Sequence, residues 1–194
     1  MTFLIMKIKY EIREIHLKEK PDEMIKLSSK GTVPVLFDPM RNIVIDESLE
    51  IMKVFLAKSK NKNFQFNTNN LEFTKNFDNV FKHHLDRYKY SHRYDVDPQN
   101  HRDYCDDILG ELDKSISDSK WIFSDEVSLL DISILPFIRQ FKIADDEYFF
   151  NQKYLKVIKL LNQFEDSSLF RQIMNKYDVW SASDNNSVLF PTAL

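Results

Sequence analysis

GTVPVLFDPMRNIVIDESL, residues Gly31 to Leu49, is the stretch whose reading decides the fold. Two short β-rich runs, Val33 to Phe37 and Ile43 to Ile45, flank the turn-forming cluster Asp38-Pro39-Met40-Arg41-Asn42, which predicts a hairpin. A helix follows at once: Leu49-Glu50-Ile51-Met52-Lys53-Val54-Phe55-Leu56 spaces apolar residues along one helical face. Ser48 stands where an N-cap hydroxyl serves the first free amides, which also attract carboxylates. Within the first run, the bond from Val33 to Pro34 can adopt the cis form at modest cost, and a proline at a strand start leaves neighbouring backbone groups open to an added peptide. Glu47 sets a negative charge beside the helix amides. A site with an acid next to an anion-binding helix start suits a zwitterionic, amino-acid-like ligand.

Each feature alone has a plain structural explanation: an edge proline, a helix cap, a solvated charge. Their order within one hairpin-helix unit resembles the glutathione transferase superfamily, whose thioredoxin-like half ends in strand, cis-proline, strand, turn, strand, Glu-Ser and helix. The upstream segment YEIREIHLKEKPDEMIKLSSKGTVPVL, from Tyr10, resembles the second strand and second helix of that half. The resemblance implies that the backbone of Val33, before Pro34, pairs with the cysteinyl part of glutathione. It also implies that Glu47 and Ser48 hold the γ-glutamyl end. The fold class expected is α/β plus all-α, with an incomplete thioredoxin-like domain over residues 1–58, a linker over 59–70 and a helical-bundle domain over 71–194.

The expected strand Ile8 to Leu17 alternates apolar and charged residues, and only seven residues precede it. A βαβ unit takes about 30 residues, so the first strand and most of the first helix of a thioredoxin-like half are expected to be missing. The resemblance places the thiol-activating tyrosine, serine or cysteine in that missing segment, which leaves the catalytic residue unknown. Met1 to Met6 corresponds either to the end of the missing helix or, through Phe3-Leu4-Ile5-Met6, to a substitute strand.

Composition narrows the functional classes. At 194 residues and 43% hydrophobic the chain can bury a sizeable core. Its 27 basic and 30 acidic residues are mixed, with a net charge of −3, which argues against a nucleic-acid partner. No apolar run approaches a membrane span, and one cysteine rules out an internal disulfide framework, so a cytoplasmic location is expected. Glycine occurs only at positions 31 and 110, which suits long helices with polar turns.

The second half reads as helical. Phe73, Phe77, Phe81, His84 and Tyr88 recur at three- and four-residue spacing, and a second helix runs from Pro98 through Ile108, Leu112 and Ile116. Trp121, Ile122 and Phe123 are expected to pin a connecting segment to the core. Ser128 and Asp131 form an acidic capping box opening the helix Leu129 to Pro136, a motif that the resembling family uses for folding, so no chemistry is assigned to either. Apolar periodicity at Tyr154, Leu155, Ile158, Leu161 and Phe164, then Leu169, Phe170 and Ile173, predicts two more helices.

Cys105 lies between acidic neighbours that disfavour a thiolate, and it reads as an idle thiol. His83 and His84 are adjacent, point in different directions on a helix and make poor joint metal ligands, so no metal is expected. Arg139 and Gln140 are unusual on an apolar helix and are expected to satisfy buried polar groups. Arg87 to Tyr94, RYKYSHRY, is the densest aromatic and basic segment. By the resemblance, the helix before it contributes His84, Arg87 and Tyr88 to the pocket for an electrophilic co-substrate. The resemblance thus implies an enzyme using glutathione as co-substrate to conjugate or reduce a small hydrophobic electrophile, as a homodimer. The alternative is a non-catalytic module of the same fold that binds ligands or other proteins. A dithiol oxidoreductase is disfavoured, because no C-x-x-C is present.

Overall fold

The structure is a computed structural model that describes residues 1–183 and 187–190, apart from the side chains of Thr68 and Asn69. The apolar start of the chain folds as a helix, α1 (Thr2–Ile5), and not as a substitute strand. Phe3 sets its ring edge-on to Tyr10 and to Phe55, 4.7 Å between centroids in each case. Strand β1 (Tyr10–Ile12) is much shorter than the run Ile8 to Leu17 predicted; beyond it only isolated bridges form, Glu14 with Val179 and His16 with Glu19. Helix α2 (Asp22–Leu27) follows, with Asp22 and Glu23 in its first turn where the helix dipole favours acids.

The predicted hairpin is present as β2 (Leu36–Asp38) and β3 (Ile43–Ile45), antiparallel with Leu36 opposite Ile45 and Asp38 opposite Ile43. Asp38 Oδ1 accepts from the Met40 and Arg41 amides at 3.0 and 3.3 Å, and Asn42 takes the left-handed conformation at φ 54°. These are the turn roles for which Asp and Asn are suited. Helix α3 (Ser48–Leu56) then buries Ile51 and Leu56. Residues 1–60 and 172 onward form one unit. Strand β4 (Val188–Phe190) pairs antiparallel with β1, Tyr10 facing Phe190, and the Trp180 amide donates to the Glu14 carbonyl at 2.7 Å. The expected helical domain over 71–194 therefore differs in its last part. Residues from 172 on supply hydrogen-bond partners to the edge of β1, whose backbone groups would otherwise be unpaired. Among the described residues the strands of this unit form two separate pairs, β1 with β4 and β2 with β3.

The second unit spans residues 61–171. Part of the expected linker is structured: Lys62–Phe64 makes a 3-10 turn, and Asn67 and Asn70 cap each other's amides at 2.9 Å at the start of α4 (Thr68–Asn76). A π-helical turn, Phe77–Phe81, joins α4 to α5 (Lys82–Lys89) and buries both of its terminal phenylalanines completely. Their rings stack at 4.9 Å, and Phe81 meets Phe141 edge-on at 6.0 Å. The short α6 (Ser91–Tyr94) precedes α7 (Pro98–Ser115), with Asp97 capping the Gln99 amide and Pro98 in the first turn, where its missing N–H costs nothing.

Helix α8 (Leu129–Ala144) is the buried centre, opened by the predicted capping box. Asp131 is fully buried; it accepts from the Ser128 amide and hydroxyl at 2.8 and 2.6 Å and from the Ile122 amide at 3.0 Å. The same carboxylate thus anchors the segment before the helix. In that segment Trp121 and Ile122 are buried as expected, whereas Phe123 is 56% exposed, its ring edge-on to that of Phe73 at 6.5 Å. Helices α9 (Asp146–Phe150), α10 (Leu155–Glu165) and α11 (Ser168–Ile173) complete the described elements. Arg139 and Lys142 on α8 both bond Glu165, at 3.0 and 2.6 Å, and Gln140 accepts from Lys89, so the polar residues of this apolar helix do satisfy other polar groups.

Candidate functional site

The residues expected to bind glutathione lie on exposed backbone in the first unit. The Val33-Pro34 bond is cis, and both residues are exposed. Gly31, two residues earlier, has φ +63°, a conformation that other residues rarely adopt. At the start of α3 the cap differs by one residue from the sequence expectation. Glu47 occupies the N-cap position, its carbonyl accepting from the Ile51 amide at 3.0 Å, and Ser48 is the first helical residue. The Glu47 side chain makes no capping bond. It turns instead to Lys30, whose ammonium donates to Glu47 at 2.8 Å and to Asp46 at 2.9 Å. The buried Ser28 donates its hydroxyl to Asp46 at 2.6 Å.

This cluster has a definite charge balance. Asp46 and Glu47 carry two negative charges against one from Lys30, leaving a net negative patch beside the free amides of α3. The Ser28 hydroxyl, with Lys30 behind it, holds the Asp46 carboxyl below its ordinary range, and Glu47 with Asp46 raises the Lys30 ammonium above its own. Asp46 and Lys30 therefore stay ionised at neutral pH. Sequence reasoning singled out Glu47 and Ser48 but missed Ser28, Lys30 and Asp46; the one available signal was the polar run Ser28-Ser29-Lys30 just before the Gly31 turn.

The three residues expected to line an electrophile pocket sit on α5, in the second unit, in two different settings. Tyr88 packs its ring 5.5 Å from Phe141, and burial raises its hydroxyl pKa. On the neighbouring α7, Asp106 accepts from the Tyr148 and Tyr154 hydroxyls, and Arg102 lies 4.0 Å over the Tyr148 ring. His84 and Arg87 belong to a second group. The Nδ1 atoms of His84 and His101 are 2.8 Å apart, Tyr104 stacks on His84 at 4.3 Å, and Arg87 contacts His83 Nδ1 at 3.0 Å while covering the Tyr94 ring. Burial lowers the pKa of His84, with His101 and His83 adding to the effect; burial and Arg87 do the same to His101.

Cys105 is completely buried, and burial with the nearby Asp106 pushes its thiol far up, so it is no nucleophile. Among the described residues no group of three or more His, Cys, Asp and Glu side chains is placed to hold a metal ion, and no helix is long and apolar enough to cross a membrane. A concave surface within the second unit, lined by Asn63, Asn67, Phe73, Phe123 and Ser128, contains none of the expected site residues.

Comparison with known proteins bears on the first unit most directly. Residues 1–57 match the family model described as glutathione S-transferase, N-terminal domain. Comparison with curated proteins returns no match. Among solved structures, the chain is similar to a glutathione transferase family member from Pseudomonas fluorescens pf-5 with two glutathione bound. Identity is 16%, with 88% of this chain and 83% of that one covered and a TM-score of 0.73. It is also similar to glutathione transferase F2 from Populus trichocarpa, at 15% identity, 89% of each chain and a TM-score of 0.67. A third similar structure is glutathione transferase Omega 3C from Trametes versicolor, at 12% identity, 87% and 79% coverage and a TM-score of 0.66. At these identities the structures establish fold. Residues 1–57 thus carry the glutathione S-transferase N-terminal domain, and the chain has the glutathione transferase fold.

Proposed function

We propose that this chain binds glutathione at the start of α3 and uses it as co-substrate toward a small hydrophobic electrophile. The observation that carries the reading is the exposed Glu47-Ser48 pair, with no side-chain capping bond at Glu47, following the cis Val33-Pro34 bond in a segment that matches the transferase N-terminal domain. Ser48 and the free amides of α3 take the γ-glutamyl carboxylate, where the helix dipole favours an anion. Glu47, with Asp46 beside it, takes the ammonium, and the backbone of Val33 pairs with the cysteinyl unit. His84, Arg87 and Tyr88 are the candidate contacts for the electrophile. The chemistry needs a donor that lowers the thiol pKa of bound glutathione, and no residue of this chain is assigned that role. The cytoplasm is the proposed location. A homodimer is the proposed state, supported by the outward face of the β2-β3 hairpin, where Phe37 and Val44 face each other in register and Met40 stands at the tip, all exposed.

A non-catalytic module that binds ligands or proteins is the second reading, and one observation favours it: Lys30 already engages Glu47, so a ligand ammonium must share or displace that contact. Calorimetric titration with glutathione, beside a Glu47→Ala, Ser48→Ala double variant, tests the binding site. Saturable binding that is lost in the variant supports it, and no binding by the folded chain overturns it. Turnover of glutathione with an aromatic halide then separates enzyme from carrier.

A further inference from the structure

Of the three imidazoles at the α5-α7 junction, His83 and His101 are unused by this reading and His84 serves it only as a candidate electrophile contact; their mutual geometry stands apart from glutathione binding. His83 and His84 come from α5 and His101 from α7, two helices packed against each other. The rings of His84 and His101 lie 5.0 Å apart between centroids, and their Nδ1 atoms face one another at 2.8 Å. With both rings neutral, one Nδ1 donates its hydrogen and the other accepts it. Two imidazole nitrogens converging from rigid elements are also the donor set that borderline divalent metals prefer, and helices hold such geometry better than loops.

We propose that His84 and His101 form a two-imidazole site for a divalent transition metal such as Zn²⁺, clamped between α5 and α7 and completed by water. Tetrahedral bonds of about 2.0 to 2.1 Å place two nitrogen ligands about 3.3 Å apart, so the pair opens by about 0.5 Å on binding. Both Nδ1 lone pairs then face the metal. The ring that donated its hydrogen carries it on Nε2 instead, so a neutral pair binds the cation without net proton release. His83 is the nearest further imidazole, its ring 5.0 Å from that of His84, but its Nδ1 lone pair is occupied by Arg87, which can only donate. Asp97, next to the start of α7, adds a favourable negative charge near His101, whereas Arg87 opposes a cation. Two protein ligands and this balance set the site apart from a structural zinc centre, which has four.

The test is calorimetric titration of the untagged, chelator-stripped full chain with Zn²⁺ alone, repeated for His84→Gln, His101→Gln, His83→Gln and His92→Gln. One saturable site is expected, at least tenfold weaker in His84→Gln and in His101→Gln, and within about threefold of the parent in the other two. Absence of saturable binding, or unchanged affinity in both His84→Gln and His101→Gln, overturns the proposal. A tenfold loss in His83→Gln overturns the two-imidazole assignment. Nitrogen-15 spectra of the histidines in the unmutated chain supply a readout that needs no variant to fold: Zn²⁺ must shift two Nδ1 resonances, and a spectrum that does not change overturns the site.

Discussion

The chain opens two helices with a serine and an acid, and the two openings do opposite things with them. At α8 the carboxylate of Asp131 is fully buried and accepts three hydrogen bonds, from the Ser128 amide and hydroxyl and from the Ile122 amide. At α3 the acid precedes the serine; both are exposed, and the Glu47 carboxylate leaves the helix amides alone and reaches Lys30. A carboxylate whose lone pairs are filled by its own backbone belongs to the fold. One held only by a half-exposed lysine remains open to a ligand. Residue type does not separate the two; the count of internal partners does.

The sharpest break of this comparison is Asp131→Ala. It strands the buried Ile122 amide and the half-buried Ser128 amide and removes the Asp131 half of the α8 capping box, so a loss of about 3 kcal/mol is expected in urea unfolding. A loss under about 1 kcal/mol would place Asp131 with the replaceable caps. Glu47→Ala should behave in reverse, with stability within about 0.5 kcal/mol of the parent and glutathione affinity about tenfold weaker, equal to about 1.4 kcal/mol, by calorimetry. Lys30→Met tests the remaining partner. Exposed ion pairs contribute little, so thermal melting should hardly move, and a large destabilisation would make the cluster structural.

The histidine pair gives a smaller, pH-dependent effect. Both pKa values are lowered in the folded state, so the unfolded chain binds more protons and stability rises with pH. The contribution is present above the unfolded value of about 6.5 and is lost as pH falls through the lower folded values. Urea midpoints measured from pH 7.5 to 5 should decline less in a His84→Gln, His101→Gln double variant. Cys105, buried beside the Phe81 carbonyl, should resist alkylation in the native chain and react only on unfolding.

Local signals were the legible ones. The Asp38 turn and the α8 capping box depend on residues within four positions of one another and are present as read, whereas the first hairpin strand lies at Leu36–Asp38 and the helix that follows takes Glu47, not Ser48, as its N-cap. Strand β1 was read too long, because alternation reports which face is wet and not whether a partner strand is there to pair with. Phe123 was read as buried because hydrophobicity gives a preference, while the course of the connection decides exposure. The residues proposed to bind glutathione were singled out through the order of motifs, but their companions Ser28 and Lys30 lie 18 and 16 positions from the Asp46 carboxylate they contact.

The sequence by itself determined the kinds of elements and their order, because turn chemistry, capping and helical periodicity are written within a few residues. It also carried the Val33-Pro34 and Glu47-Ser48 motifs that point to a glutathione transferase half. Only the tertiary structure decided that β4 closes the edge of β1, that Lys30 bridges Asp46 and Glu47, and that His101 meets His84 across two helices. Those contacts join residues far apart in the chain, and which distant groups meet depends on how whole elements bury their apolar faces, a choice that no short window of sequence contains.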